Sequence, residues 1–319
     1  MSSFHHYRTL IILLGASTVA AGLGCSGPKN SGVLYPPDQP IALIEKADVL
    51  RELRNINYFV AFGDGEPDQS SPTGQRGSWQ FSSPMGASCD SGSLRSSTGF
   101  RQRDFLHFPF SGNVDYVRSV VSSCRNNSLG PESVSLDGVY EEGTVPSREF
   151  GYQIAGENGE ALMTTIVQDG VTFYQSALGT TEYRFDGSRS EVRMIARSTF
   201  SHSGGSEIVG EFGLPGLPFV ETDGGGQYLV EGPYRYTSTE CAGGAATVAT
   251  EIPLIIDGGR LTGGRLRFRS GNTSALVEIQ GDGSAIISFS RGASAYISEE
   301  ELSHLYSSFD TDCVSPPPP

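Results

Sequence analysis

The chain has 319 residues, and its 22 lysines and arginines are outnumbered by 36 aspartates and glutamates, which gives a formal net charge of −14. This acidic balance argues against nucleic-acid binding, because such binding depends on contacts between cationic side chains and phosphates. It also argues against electrostatic attachment to an anionic membrane surface. The length suffices for one large β domain or for two domains of ordinary size.

The first 25 residues have the plan of a secretory signal peptide. A short polar start is followed by an apolar run over residues 10–23, and the small Gly24 stands directly before a cysteine. The run is shorter than the roughly 20 residues that a membrane-spanning helix needs. The stretch resembles the signal of bacterial lipoprotein precursors, with a glycine where leucine is usual, and the motif is Gly22-Leu23-Gly24-Cys25.

This resemblance implies that residues 1–24 are removed and that Cys25 receives a diacylglycerol and an N-acyl group such as palmitate. More than one acyl chain is what stable anchoring requires. In the same family an aspartate after the cysteine commonly retains the protein at the inner membrane. Ser26 therefore implies the outer membrane of a diderm cell envelope, on either the periplasmic or the surface face. Residues 25–40 are rich in Ser, Gly and Pro and predict a flexible tether.

Two helices are predicted, one near each end of the folded body. Residues 41–55 place leucine and alanine side chains at helical spacing, and Pro40 suits a first helical turn. Near the other end, Ser298 followed by Glu301 is a capping-box pattern. Residues 299–309 then carry an apolar stripe, which we expect to dock on a sheet: Leu302, Leu305, Tyr306 and Phe309.

Nearly all of the chain between these helices is predicted to be strands and turns. Eight Asn-Gly or Asp-Gly dipeptides supply the positive φ angles of tight hairpin turns, and several lie between runs of strand-forming residues. Residues 150–212 and 227–297 are thereby predicted to be antiparallel meanders. Residues 213–226, rich in Pro and Gly, are either a boundary between two β units or a loop within one sheet. Residues 64–130 are the least regular, and we expect loops and short strands there.

These patterns predict a mainly β fold, with antiparallel meander sheets in a sandwich or a curved half-barrel and one helix at each end. The predicted units are 41–212, which combines a helix, an irregular region and a β unit, and 227–313, which ends in a helix. The two units are either separate or continuous. A Pro-rich tail, 314–319, follows them.

Two short stretches resemble the periplasmic lipoprotein-carrier family, a curved half-barrel with a helical lid. One is ADVLRELRNINYFVAF, a helix running directly into a strand, and the other is the hairpin IVQDGVTFYQS. The resemblance implies a carrier of hydrophobic ligands with an apolar cavity between the sheet and residues 41–55.

Four cysteines remain after the signal, and an even number in an exported protein predicts two disulfide bonds. Three pairings are open. The pairing Cys89–Cys124 with Cys241–Cys313 closes the shortest loops in total and is the favoured one. None of the four has the C-x-x-C spacing of a metal site.

No stretch predicts a catalytic, cofactor or metal site. There is no P-loop, no G-x-G-x-x-G between a strand and a helix, and no G-x-S-x-G around the serine that follows His202. His107 and His304 are not at metal-ligand spacing either, and the acidic turns 64–68 and 310–312 do not fit a calcium loop.

Arginines alternate with apolar residues over residues 265–269, which predicts a strand with one charged and one apolar face. Pairing of these arginines with acidic neighbours is the favoured interpretation, and a ladder that binds an anionic ligand is the other.

The predicted function is that of a non-enzymatic binding or scaffold lipoprotein. It is attached to the membrane through Cys25, uses no cofactor, binds no nucleic acid, and has a protein or ligand partner that the sequence does not name. The first alternative is a carrier of a hydrophobic, lipid-like ligand. The second is a secreted hydrolase, for which the sequence has no motif.

Overall fold

The structure, a computed structural model, describes residues 40–59, 89–126, 133–168, 171–203, 207–238, 243–257 and 260–302. Within these residues the fold is mainly β, and the strands are hydrogen-bonded into one large antiparallel sheet. The predicted mainly β, antiparallel class is confirmed. The predicted signal, the predicted tether up to residue 39 and the Pro-rich tail lie outside the described residues.

The described chain begins with a helix, α1 (Lys46–Phe59), and continues into fifteen strands. The strands are β1 (Ser91–Asp104), β2 (Ser111–Asn126), β3 (Ser133–Thr144), β4 (Phe150–Ala155), β5 (Leu162–Gln168), β6 (Val171–Phe185), β7 (Arg189–His202), β8 (Glu207–Phe212), β9 (Phe219–Gly224), β10 (Gln227–Ser238), β11 (Gly244–Asp257), β12 (Arg260–Ser270), β13 (Thr273–Ile279), β14 (Ala285–Phe289) and β15 (Ser294–Ile297). Among the described helices, none is long and apolar enough to cross a membrane.

The strand order follows the chain except at two positions, each of which is shared by two short strands. β4 and β5 both pair with β3 and β6, and they run one after the other in the same direction. β8 and β9 occupy the position between β7 and β10 in the same way. Residues 156–161 connect β4 to β5, and residues 213–218 connect β8 to β9. Both segments leave the sheet, and we call them tip 1 and tip 2.

The segment 213–226, predicted to be a boundary or a loop, contains tip 2, β9 and the turn into β10. β9 pairs with both β7 and β10 of the same sheet. The division of the chain into two units stays a prediction.

The prediction of loops and short strands over 64–130 is wrong for its second half. β1 and β2 there are 14 and 16 residues long and pair along almost their whole length. β1 is an edge strand with exposed side chains, so it lacks the apolar alternation by which a strand is recognised. This segment, rich in Ser, Thr and Arg, forms a strand because its backbone hydrogen-bonds to β2.

Several strands carry glycines with positive φ far from any turn. Gly138, Gly179, Gly232 and Gly264 lie within β3, β6, β10 and β12 and have φ values of 124°, 150°, 134° and 117°. A Cβ at Gly179 would lie 2.4 Å from the carbonyl oxygen of Ile195 in the neighbouring strand. Glycine kinks of this kind bend a sheet.

The main core lies between α1 and one face of the C-terminal half of the sheet, which we call the inner face; the opposite side is the outer face. Leu43, Val49, Leu50 and Leu53 are each at most 5% exposed and belong to one cluster with side chains of β7–β15. The predicted N-terminal helix is present, but it spans Lys46–Phe59 rather than residues 41–55, and Pro40 lies before it rather than in its first turn.

Side-chain hydroxyls of the sheet hold the chain before α1 in place. The backbone N–H groups of Ile41 and Leu43 donate to the hydroxyls of Ser270 and Thr273. The Asp48 carboxylate then accepts the N–H groups of residues 44 and 45, both at 3.0 Å, and so caps the start of the helix.

The predicted capping box at the C-terminal end is confirmed. The Glu301 backbone N–H donates to the Ser298 hydroxyl at 3.2 Å, and the Ser298 backbone N–H donates to the Glu301 carboxylate at 2.9 Å. Residues 299–302 are helical, and Leu302 is buried in the main core. The rest of the predicted helix, 303–309, lies outside the described residues.

Candidate functional site

An open groove of about 450 Å³ lies on the outer face, where β1, β2, β3, β4 and β6 pass beside tip 1. Small-molecule sites have volumes of about 300–1,000 Å³, and this groove falls in that range but is open to solvent. Its lining combines aliphatic side chains that stand on the sheet with charged side chains around them. The aliphatic members are Val139, Ile154 and Leu178, and the charged ones are Arg101, Arg118, Glu141 and Glu157. We call it the arginine groove.

The strand register brings these residues to one face. Arg118 of β2 lies opposite Glu141 of β3, which lies opposite Ile154 of β4, which in turn lies opposite Thr180 of β6. Directly opposite residues of antiparallel strands share a face. The row therefore crosses four strand positions on the outer face.

Glu141 holds the two arginines together from the side of the sheet. It is 3% exposed, and one of its oxygens accepts hydrogen bonds from Arg101 and, at 2.9 Å, from the Tyr152 hydroxyl. Arg118 approaches the other oxygen at 3.8 Å. Burial and the bond to Glu141 raise the pKa of Tyr152 to about 12, so this phenol stays a neutral donor.

Both guanidinium groups remain charged and partly open to solvent. The side chains of Arg101 and Arg118 are 40% and 31% exposed. Burial opposes the charge on Arg101, but Tyr152 and Glu141 more than compensate and raise its pKa. The guanidinium of Arg101 also lies over the Tyr116 ring, 4.5 Å from the ring centre.

Glu157 of tip 1 contacts Arg118 from the solvent side of the groove, with an N–O distance of 2.6 Å. This hydrogen bond raises the pKa of Arg118 and lowers the pKa of Glu157. Glu157 opens a tight turn in which Asn158 and Gly159 have φ values of 53° and 84°. Two backbone hydrogen bonds of 2.9 Å between Glu157 and Glu160 close the turn.

A second polar cluster lies on the outer face where the 105–110 loop folds back over the sheet. The fully buried carboxylate of Glu182 accepts the backbone N–H groups of Leu106 and His107, each at 2.7 Å. Arg193 donates to the His107 carbonyl at 2.7 Å and lies over the Phe108 ring. Burial lowers the pKa of His107. These contacts hold the loop against the sheet.

Of the residues singled out in the sequence, Cys89 and Cys124 form the predicted disulfide, which is confirmed. It packs with Val121 and Leu136 at the bulged end of β2. Cys25, Cys241, Cys313 and His304 lie outside the described residues. His202 is the last residue of β7.

The arginines of β12 follow the favoured interpretation of their pattern. Arg265 pairs with Glu278 at 2.9 Å, and Arg267 pairs with Glu251. They lie on the outer face, away from the arginine groove. Arg101 and Arg118 were not predicted as site residues from the sequence. Arginines at 95, 101 and 103 all have the same parity along β1, and this was the one available signal.

Comparison with known protein families, with curated proteins and with solved structures finds no match for this chain. Within the described ranges, no group of three or more His, Cys, Asp or Glu side chains is arranged to hold a metal ion.

Proposed function

We propose that this protein is an exported, lipid-anchored binding protein that holds a small organic anion in the arginine groove. The observation that carries the proposal is the pair of partly exposed guanidinium groups, Arg101 and Arg118, attached to one buried carboxylate, Glu141. Guanidinium groups bind carboxylates and phosphates through several planar N–H donors. The aliphatic lining beside them suits the apolar part of such a ligand.

Binding rather than catalysis is the role that these groups support. The pKa values of Arg101 and Arg118 are raised, and the pKa of the Tyr152 phenol is raised as well. A general acid or base works best with a pKa near the working pH. Groups held in a fixed protonation state orient an anion but do not exchange protons with it near neutral pH.

The anchor and the location in the outer membrane are also part of the proposal, and the motif at Cys25 supports them. The sheet is proposed to curve as a half-barrel around α1. The glycine kinks of β3, β6, β10 and β12 and the burial of α1 against the inner face support this curvature. The carrier alternative needs an apolar cavity between α1 and the sheet, but α1 packs directly against the inner face. The groove on the outer face carries two arginines, so it favours a ligand with a charged head over a purely hydrophobic one.

Thermal unfolding of the mature chain with a panel of small organic anions and their neutral amides tests the proposal. A ligand that binds only the folded chain stabilises it by about 2.7 kcal/mol at a hundred times its Kd. Some anions, but not their amides, should therefore raise the Tm. Arg118→Gln should abolish the increase.

The matched control is Arg197→Gln, which removes an exposed outer-face arginine that lies 3.7 Å from Glu211 and outside the groove. This variant should keep the increase in Tm. Equal responses of the two variants, or no anion-specific increase in the wild type, would show that the groove is not the binding site.

A further inference from the structure

We infer that the ligand of the arginine groove carries a carboxylate, and that Glu157 of tip 1 competes with this carboxylate for Arg118. The inference rests on the proposed function and names the ligand chemistry of the same site. Glu157 meets Arg118 at 2.6 Å from the solvent side, where an incoming anion would approach. Glu141 holds the arginines from the opposite side.

The two carboxylates of the groove differ in how easily they can be replaced. Glu141 is buried and bonds to Arg101 and Tyr152, so its removal would leave the buried Tyr152 hydroxyl without its acceptor and Arg101 without its ion-pair partner. The side chain of Glu157 is 41% exposed, and exposed ion pairs contribute little to stability. A ligand can therefore take the place of Glu157 at small cost, whereas Glu141 stays in position.

The backbone of tip 1 does not itself require a carboxylate at position 157. Tip 2 has the same backbone hydrogen-bonding pattern, with two bonds of 2.8 Å between Leu214 and Leu217. Gly213 and Gly216 there have φ values of 75° and 79°, close to the 75° and 84° of Gly156 and Gly159. Leu214 occupies the position that corresponds to Glu157. We therefore attribute the presence of a glutamate at position 157 to its contact with Arg118, not to the needs of the turn.

The contact also indicates the chemistry of the ligand. One carboxylate oxygen of Glu157 already accepts a hydrogen bond from the Arg118 guanidinium, so this position of the groove accommodates a carboxylate. A ligand carboxylate can accept the same hydrogen bond, while its apolar part covers Val139, Ile154 and Leu178. A branched aliphatic acid is the simplest molecule with both features.

The test uses 4-methylpentanoate as the probe, with 4-methylpentanamide and inorganic phosphate as separate arms. Binding is followed by NMR shifts of the Ile154 and Leu178 methyl groups in the full mature chain. Glu157→Gln should tighten the binding of 4-methylpentanoate about two- to fivefold, the size expected when an exposed ion pair no longer competes. The amide should not bind.

Glu160→Gln is the matched control. It removes one negative charge from the same turn, but Glu160 does not line the groove. Any general electrostatic gain would therefore appear in both variants, and only the competition would appear in Glu157→Gln. Thermal melts should show that both variants are folded, because neither side chain is buried.

Two results would overturn the inference and leave the proposed function standing. One is equal tightening by Glu157→Gln and Glu160→Gln. The other is that inorganic phosphate, which stands in for the head group of an organic phosphate, shifts the Ile154 and Leu178 methyls and is bound more tightly by Glu157→Gln while 4-methylpentanoate is not. The proposed function itself fails if neither anion shifts these methyls in any variant, or if the shifts persist in Arg118→Gln.

Discussion

Glu221 shows how burial changes the chemistry of a single side chain. It lies in β9 on the inner face, is 4% exposed, and accepts the Tyr228 hydroxyl at 2.9 Å. Its other oxygen has no hydrogen-bond partner among the described residues. Burial raises the pKa of Glu221 to about 7, and the bond from Tyr228 offsets only part of this increase. Between about pH 4.5 and 7, the folded chain therefore keeps a proton on Glu221 that the unfolded chain releases.

The raised pKa of Glu221 makes stability depend on pH in a defined direction. The protonated carboxyl favours folding below the unfolded pKa of 4.5, and this advantage is lost as the pH rises through about 7. At pH 8, Glu221→Gln should increase the free energy of unfolding by up to about 3 kcal/mol, and at pH 4.5 by little. Denaturant titrations at the two pH values measure this difference.

The control for this prediction is Glu251→Gln. Its hydrogen bond to Arg267 lowers the pKa of the exposed Glu251, so the variant should not gain stability at pH 8. If Glu221→Gln changed the free energy of unfolding equally at both pH values, the pKa of Glu221 would not be raised in the folded chain, and the prediction would be wrong.

Glu52 of α1 is a second buried carboxylate, and its partners fix the helix on the sheet. It accepts the hydroxyls of Tyr234 at 2.6 Å and Tyr236 at 3.1 Å. Tyr234→Phe should destabilise the fold by about 1–3 kcal/mol, because a buried acceptor loses a donor. Tyr174→Phe on the exposed surface of β6 should change stability by less than about 0.5 kcal/mol. Chemical denaturation of both variants provides the measurement, and equal losses would contradict a buried network.

At this scale the sequence indicates which face a charged residue occupies but not what it contacts. The alternation of Arg265 and Arg267 predicted a charged face, and both arginines pair with glutamates on neighbouring strands. Arg101 and Arg103 alternate with other residues in a similar way. Arg101 nevertheless lines a groove, because residues of tip 1 lie on the same face of the sheet. The partner Glu141 lies forty residues away in the chain, and no local pattern connects the two.

At the scale of elements, the glycine kinks are the feature most open to test. Gly179→Ala would place a methyl group 2.4 Å from the Ile195 carbonyl oxygen, at a φ of 150°. We expect a loss of about 2–5 kcal/mol from this contact and the strained backbone. Gly187 also has positive φ, but nothing lies within 4 Å of its added Cβ. Gly187→Ala should therefore cost only about 1 kcal/mol.

Thermal melts of the two alanine variants separate the steric effect from the backbone effect. Similar losses at Gly179 and Gly187 would mean that the close approach of β6 and β7 does not require a glycine.

The same dipeptide chemistry also shows where element prediction stops. Asp186-Gly187 and Asp282-Gly283 connect consecutive strands, as predicted. Asp137-Gly138 was predicted to turn, but it lies inside β3. Gly138 uses its positive φ to let the strand pass Leu162, whose Cα would lie 3.0 Å from an added Cβ. A hairpin turn and a kink within a strand both require a glycine with positive φ. The dipeptide alone therefore does not distinguish them, and the neighbouring strands do.

At the scale of the whole molecule, the class of the fold was accessible from the sequence, and the continuity of the sheet was not. Regular turn signals and short strand-like runs predicted antiparallel β structure. Pro and Gly over 213–218 are equally typical of a linker and of a tip that leaves a strand and returns to it. β8 and β9, on either side of this segment, both pair with β7 and β10, and the division of the chain into two units stays a prediction.

The proposed attachment of the whole chain to a membrane depends on Cys25. With a net charge of −14, the protein has little electrostatic attraction to an anionic bilayer, so we propose that a lipid on Cys25 supplies the anchor. Cys25→Ser should move the protein to the soluble fraction or stall its processing at the precursor mass. Ser26→Asp should keep the lipid and the cleavage before Cys25 but shift the protein to the inner membrane. Fractionation with mass spectrometry measures both, and a Cys25→Ser protein that stays membrane-bound at unchanged mass would refute the anchor.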